Sequence, residues 1–183
     1  IENQSVNCWG GYDPHGKLDT PSLVNPSYVD TGREHTCAID DTGALCWGWN
    51  NEGQLDAPDL DNPTKISAGF RHSCAIDANG VSCWGSNGVG EIDVPALNNP
   101  TEIHAGISHS CALDGDDVVC WGSSNYGRTS VPTLVNPVQI AEGNGIHNCA
   151  IDDTGVVCWG YNSDGQTNTP ILSNPVQVTK GQN

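Results

Sequence analysis

One phrase recurs along this 183-residue chain. It reads HTCAIDDTGALCWG from His35, HSCAIDANGVSCWG from His72, HSCALDGDDVVCWG from His109 and HNCAIDDTGVVCWG from His147. A beheaded copy, IENQSVNCWG, begins at Ile1. First cysteines stand at 37, 74, 111 and 149, and second cysteines at 8, 46, 83, 120 and 158, a period of 37 or 38 residues. Self-similarity at this period restricts architecture more tightly than any other signal in a single sequence. A unit this short cannot hide its own apolar faces and must stack on its copies.

Each unit carries a second landmark: LVNPSYV, LDNPTKI, LNNPTEI, LVNPVQI or LSNPVQV. Asn-Pro initiates a turn, and the alternation after it reads as a strand. The segments TEIHAG, SCAIDA and VSCWGS read as strands, and EIDVPA as a weaker fourth ending at proline. No stretch shows a sustained helical period with caps. A composition with 22 Gly, 11 Pro, one Phe and no Met suits short strands joined by turns.

The cysteine spacing sets a register. An even loop at Asp40–Gly43 pairs Ile39 with Ala44, Ala38 with Leu45 and Cys37 with Cys46, close enough for a bridge. The loop-closing glycine (Gly43, Gly80, Gly155) can take a left-handed conformation, and Asp117 replaces it once. Four local disulfides are therefore expected: Cys37–Cys46, Cys74–Cys83, Cys111–Cys120 and Cys149–Cys158. Metal ligation is the alternative, but one cysteine pair supplies only two of the four ligands that structural zinc needs. Bridges of this kind point to an oxidising space: periplasmic, cell-surface or secreted. Cys8 has lost its in-unit partner and is expected to be unpaired or intermolecular. Alternation also assigns faces. Cys74, Ile76, Val81 and Cys83 share one side of the hairpin, and Ala75, Ser82 and Trp84 the other. Both sides are apolar, so the hairpin belongs between neighbours, as in propeller blades or a solenoid.

Six Lys plus Arg against 22 Asp plus Glu give a net charge of −16. That excludes nucleic acid, which needs a basic face, and docking on anionic lipid. No apolar run is long enough to insert in a membrane as a helix. No metalloprotease, nucleophile-elbow, P-loop or dinucleotide motif occurs, so an enzyme is not expected, and no catalytic residue, metal or cofactor is assigned. His35, His72, His109 and His147 recur once per unit and read as structural hydrogen-bonding groups, because a catalytic group occurs once. His15 and His104 stand outside the pattern. Trp9, Trp47, Trp84, Trp121 and Trp159 read as unit-to-unit packing, although a sugar platform is conceivable. The pairs DDTG and DGDD read as turn formers and lack the spaced ligands of a calcium loop. Asn3, in NQS, is a glycosylation acceptor in a suitable host.

Trp49 is different. It lies in WGWNNEG, where other copies have Gly11, Ser86, Ser123 and Tyr161. With Tyr12, Asn50, Tyr126 and Tyr161 it samples the variable loop after Cys-Trp-Gly. These five residues are the candidate binding positions, since variable aromatic loop residues on one rim are where a repeat scaffold recognises something.

The unit H-x-C-A-[IL]-D-x-x-G-x-x-C-W-G-x-N-x-x-G resembles the regulator-of-chromosome-condensation repeat in its bacterial alpha-tubulin-suppressor-like form. His72, Cys74, Ala75, Ile76, Gly80, Cys83, Trp84, Gly85, Asn87 and Gly90 carry the match, with the ISAG strand at Ile66–Gly69 before them. The resemblance implies a β-propeller of four-stranded blades, commonly seven; this chain has five repeats, so the fold expected is an all-β β-propeller built from five repeats with short four-stranded blades, five-bladed if the ring closes. The units run approximately 1–34, 35–71, 72–108, 109–146 and 147–183 within a single repeat domain, 1–183. The ring can close through the C-terminal strand, or the chain can be part of a larger propeller or an open array. The family's usual GQLG is degraded to GQLD, GEID, GRTS and GQTN. The exchange-factor role of the eukaryotic members finds no support in this charge and these cysteines. The function expected is a non-enzymatic, extracytoplasmic binding or adhesion scaffold whose rim loops recognise a macromolecule. A protein partner is favoured and a carbohydrate is possible. The alternatives are self-assembly into a surface fibre or array through the incomplete terminal unit, and a lectin or enzyme-inhibitor propeller.

Overall fold

In each complete unit the chain makes three strands that meander as one antiparallel sheet. The computed structural model describes residues 1, 5–141 and 145–179, so Asn3 lies outside the described residues. The first sheet is β1 (Tyr28–Thr31), β2 (His35–Asp40) and β3 (Gly43–Gly48); the second is β4 (Lys65–Ala68), β5 (His72–Asp77) and β6 (Gly80–Gly85). The third is β7 (Pro100–Ala105), β8 (His109–Asp114) and β9 (Asp117–Gly122); the fourth is β10 (Gln139–Ile140), β11 (His147–Asp152) and β12 (Gly155–Gly160). In all four the middle strand pairs with both others. The sheets pack on one another in chain order, with β1, β4, β7 and β10 side by side.

Two expectations are corrected. The sheets have three strands, not four. EIDVPA (91–96) turns on Asp93 N–H to Gly90 O and Val94 N–H to Ile92 O bonds, and Pro95 has no N–H to give a ladder. Among the described residues four sheets form, not five, and the first copy has no H-x-C-A segment for its Cys-Trp-Gly segment to pair with. It contributes a single bridge residue at Ser5.

The hairpin registers are as the cysteines require. Cys37 faces Cys46, Ala38 faces Leu45 and Ile39 faces Ala44, and the same pairing recurs in the other three. Disulfides join Cys37–Cys46, Cys74–Cys83, Cys111–Cys120 and Cys149–Cys158. Cys8 is half-buried and unbridged among the described residues. In the third hairpin the left-handed residue is Gly115 (φ +63°) rather than Asp117, because DGDD offers a glycine one step inside the turn.

The faces interlock as the alternation implies. Cys37, Ile39 and Cys46 of the first sheet pack against Ile66, Ala68, Ala75 and Trp84 of the second. Cys74 and Ile76 pack against Ile103, Ala105, Ala112 and Trp121. Cys111, Leu113 and Val118 pack against Ile140, Ala150 and Trp159. The disulfide face of each unit is thus the floor for the tryptophan face of the next. Trp47, Trp84, Trp121 and Trp159 are buried, whereas Trp9 is 84 % exposed. That corrects the packing role expected for Trp9.

The indoles and the residue between His and Cys find their acceptor at one repeating place. The indole N–H groups of Trp47, Trp84, Trp121 and Trp159 donate to the carbonyls of Lys17, Gln54, Glu91 and Arg128, at 2.8–3.1 Å. The same four carbonyls accept from Thr36, Ser73, Ser110 and Asn148, the residue between His and Cys. Because Ser73 spends its proton on Gln54, His35 Nε2 donates to Ser73 Oγ at 2.9 Å. His72 does the same to Ser110 at 2.9 Å, and His109 donates to Asn148 Oδ1 at 2.7 Å. His35, His72 and His109 therefore each tie their own unit to the next. Gly85 shows why Gly follows Trp: at φ +105°, a Cβ would sit 2.7 Å from Arg71 O and 2.8 Å from the His72 Cα.

Burial holds His72 and His35 neutral, each pushed down to about 4, with mutual repulsion adding to the effect at His35. Between pH 6.5 and 4 the unfolded chain takes up protons that the folded chain refuses. The stability contributed by these histidines is complete above pH 6.5 and is lost as pH falls towards 4.

Three outcomes follow. Denatured, unreduced protein should take up one thiol reagent per chain, and reduced protein nine; mass spectrometry counts them. Replacing Cys74 and Cys83 with Ala removes about 2–3 kcal/mol, which calorimetry should read as a melting point lower by roughly 5–10 °C. Denaturant midpoints should fall between pH 7 and pH 4.5, with a loss on the order of 3 kcal/mol per fully neutralised histidine, and the fall should be shallower in His72→Gln. A flat profile over that range would contradict the buried, neutral histidines.

Candidate functional site

The two ends of the sheets differ in what their loops are free to do. At one end the hairpin turns are fastened to the Asn-Pro segments by the aspartate that closes each Cys-Ala-[Ile/Leu]-Asp strand. Asp40 accepts from Val24 N–H and Thr42 N–H, Asp77 from Asp61 N–H and Asn79 N–H, Asp114 from Asn98 N–H and Asn99 N–H, and Asp152 from Val135 N–H and Thr154 N–H. Burial pushes Asp40, Asp77 and Asp152 up, but these bonds outweigh it and hold all three below the usual carboxylate range. The Asp residues of DDTG and DGDD therefore serve turn geometry. Grooves of about 460 and 470 Å³ lie at the equivalent place in two successive units, between hairpin turn and Asn-Pro segment. A hollow that recurs with the repeat belongs to the architecture.

At the other end lie the turns before each histidine and the loops after each Cys-Trp-Gly. Here the backbone is fixed and the side chains vary. Trp49 N–H donates to Glu34 O, Ser86 N–H to Arg71 O, Ser123 N–H to Ser108 O and Tyr161 N–H to Ile146 O, at 2.8–3.2 Å. One main-chain bond thus presents a Trp, two Ser and a Tyr at a single repeat position. The loop that follows is closed from within. Asn50 binds Asp56 and the Leu55 N–H, and Asn87 and Asn162 do the same in their units. Gln54 and Glu91, both buried, fold back on their own loops through Glu52 N–H, Val89 N–H and Ser86 Oγ. Those bonds outweigh burial and hold the Glu91 carboxyl below its ordinary value. Arg128, buried with its Nε on Asn125 O, is lowered by desolvation.

The candidate rim residues all fall at this end, but not together. Tyr126 and Tyr161 meet edge to face with ring centroids 4.9 Å apart, and Arg128 lies 5.7 Å from the Tyr126 ring. Tyr126 holds φ +60°, a conformation that a bulky residue seldom adopts. Trp49, half-buried, faces His15 at 6.1 Å. His15 aligns with Tyr126 and Trp49 with Tyr161, so the two aromatic pairs are the same contact in different units. Tyr12 is 88 % exposed with no ring contact among the described residues. Asn50 is exposed, and its amide is occupied by the loop closure described above.

Sequence reading passed over His15 and the turn residues before His35 and His72. The structure places Arg33, Glu34, Phe70 and Arg71 beside Trp49 and His15 around a cleft of about 220 Å³. The signal available in the sequence was the variability of the two positions before each histidine: Arg-Glu, Phe-Arg, Ile-Ser and Gly-Ile.

No helix among the described residues is long and apolar enough to cross a membrane. No curated protein matches the chain. Among solved structures, the ectodomain of the receptor kinase CR4 from Physcomitrella patens aligns over 93 % of this chain and 50 % of its own, with a TM-score of 0.74 and 22 % identity. Prp20p from Saccharomyces cerevisiae, whose binding to Gsp1p and histones has been described, aligns over 81 % and 48 %, with a TM-score of 0.70 and 18 % identity. The CRINKLY WD40 ectodomain of the Arabidopsis thaliana receptor kinase ACR4 aligns over 90 % and 60 %, with a TM-score of 0.66 and 23 % identity. The chain spans about half the length of these structures, and the likeness establishes a β-propeller-like fold. The family model for the regulator of chromosome condensation (RCC1) repeat matches residues 27–54 and 64–91, the first two complete units. The match identifies RCC1-type repeats in those two units, and the same registers and disulfides extend through the two later ones.

Proposed function

We propose that the protein is a non-enzymatic, extracytoplasmic binding scaffold that recognises a protein partner through the loop end carrying Trp49, Tyr126 and Tyr161. One observation carries this reading. At that end a single backbone hydrogen bond holds Trp49 in one unit, Ser86 and Ser123 in two and Tyr161 in the fourth, so the frame is constant and the presented surface is not. Residues that recur in every unit are consumed by the frame: His by the next unit, Trp by a loop carbonyl, Asp by a turn. What remains free to differ is aromatic and loop-borne, the composition of contact anchors. Rigid presentation keeps the entropy lost on contact small.

Four disulfides in so short a chain support an oxidising compartment. The likeness to two receptor ectodomains is consistent with that compartment, and the binding partners described for Prp20p agree with a scaffold that meets proteins. The rim differs from a carbohydrate site in its pairing. Tyr161 meets the edge or face of Tyr126, and Trp49 is flanked by His15 and Arg71. Neither leaves an open flat platform of the kind on which a sugar ring stacks.

The test is a displayed random-peptide library selected on the folded protein, with a glycan array in parallel. Peptides should be enriched, and Trp49→Ala or Tyr161→Ala should weaken most of them by about tenfold or more, as hot-spot truncation does. Glycan binding without peptide enrichment, or enriched peptides indifferent to both replacements, would overturn the reading.

A further inference from the structure

The cleft between the first two sheets has a chemistry found nowhere else on the described surface. In a chain of net charge −16, five of the six Lys and Arg residues are described. Lys65 lies over the Tyr28 ring at 5.1 Å, and Arg128 is buried. The other three, Lys17, Arg33 and Arg71, converge here: Lys17 Nζ donates to Arg33 O at 2.5 Å, and Arg33 and Arg71 border the cleft with His15.

The two guanidiniums are held by ring faces. Arg33 lies 4.4 Å from the Phe70 centroid, and Arg71 lies 5.4 Å from Phe70 and 5.5 Å from Trp49. Stacking uses the face of a guanidinium and leaves its N–H edge for an acceptor in the plane. Each edge is only partly used. Arg33 Nε reaches Glu34 at 3.6 Å and Arg71 Nη1 reaches Glu52 at 3.3 Å, with all four side chains substantially exposed. Among the described residues, the two terminal nitrogens of Arg33 and Nη2 of Arg71 have no protein acceptor. Exposed pairs of this geometry are weak and exchangeable. A carboxylate that docks in the fork geometry makes two parallel bonds where Glu52 makes one.

We propose that this cleft binds an acidic segment of a protein partner, with a carboxylate on Arg71 and Arg33 and its flanking residues against Trp49 and Phe70. The proposal rests on the reading of this end as the binding rim and names the partner's chemistry. The same forks suit phosphate or sulfate, but an extended polyanion carries its charge past the cleft onto an acidic surface that repels it. A short peptide can place its carboxylates in the cleft alone. The aromatic walls add contact area that a free anion leaves unused.

Fluorescence anisotropy tests it with a labelled, end-capped peptide of Asp, Glu, Phe and Gly, against the same peptide carrying Asn and Gln. Salt at 0.15 M limits long-range repulsion to about 8 Å while sparing contact pairs. The acidic peptide should bind at least ~10-fold tighter than its amide twin, and R33Q/R71Q should erase that preference. Glu52→Gln, which removes the competing negative charge beside Arg71, should tighten the acidic peptide by roughly threefold. The thermal midpoints of these surface variants should match the parent, which keeps the readout separate from folding. Equal binding of the two peptides, indifference to R33Q/R71Q, or displacement of the peptide by a sulfated sugar or an oligonucleotide at equal charge would overturn the proposal. If library-selected peptides of other composition still depend on Trp49 or Tyr161, the cradle fails and the rim reading stands. If no peptide binds the rim at all, both fall.

Discussion

The packing of a disulfide face against a tryptophan face is the contact on which the rest of this structure depends. A three-stranded sheet of strands no longer than six residues has two apolar sides and no means of burying either. Cys74 and Ile76 have nowhere to go except onto Ala112 and Trp121 of the next unit. Each bridge also stiffens the floor on which the next indole rests, and lowers the entropy of the unfolded hairpin. Trp84, Trp121 and Trp159 rest on such floors and are buried, whereas Trp9 stands 84 % exposed.

Polar chemistry follows from that burial. An indole N–H and a hydroxyl enclosed between sheets need acceptors, and one loop carbonyl serves both. The loop is thereby pinned at Lys17, Gln54, Glu91 and Arg128, and the segment before it is held by the main-chain bond to the turn ahead of the histidine. A rim of fixed backbone and variable side chains is therefore a consequence of packing. Function enters through the few positions that packing leaves unassigned, and the cation-poor composition makes the Arg33–Phe70–Arg71 group chemically distinct from everything around it.

Much of this was legible in the repeat. The pairing of Cys37 with Cys46 and Ile39 with Ala44, the two faces of each hairpin, and the structural use of His72 and Trp84 all follow from spacing and alternation. The fourth strand was misread, because EIDVPA alternates like a strand while Asp93, Val94 and Pro95 spend or lack the N–H groups a ladder needs. Asp117 stands where other hairpins have glycine, but Gly115 supplies the left-handed residue of its turn at lower steric cost. Asn50, expected at the rim, also closes its own loop through its side-chain amide.

What the sequence determined by itself is everything that repeats. A period of 37 or 38 residues, with two cysteines nine apart in each unit, leaves one hairpin register and one way to stack. What only the tertiary structure decided is which non-repeating residues meet. His15 reaches Trp49, Tyr126 reaches Tyr161, and Arg33 reaches Phe70 from one unit to the next. Periodicity fixes where a position lies within its own unit. The partner of a variable side chain is set by the offset between stacked sheets, a distance that no pattern within one unit encodes.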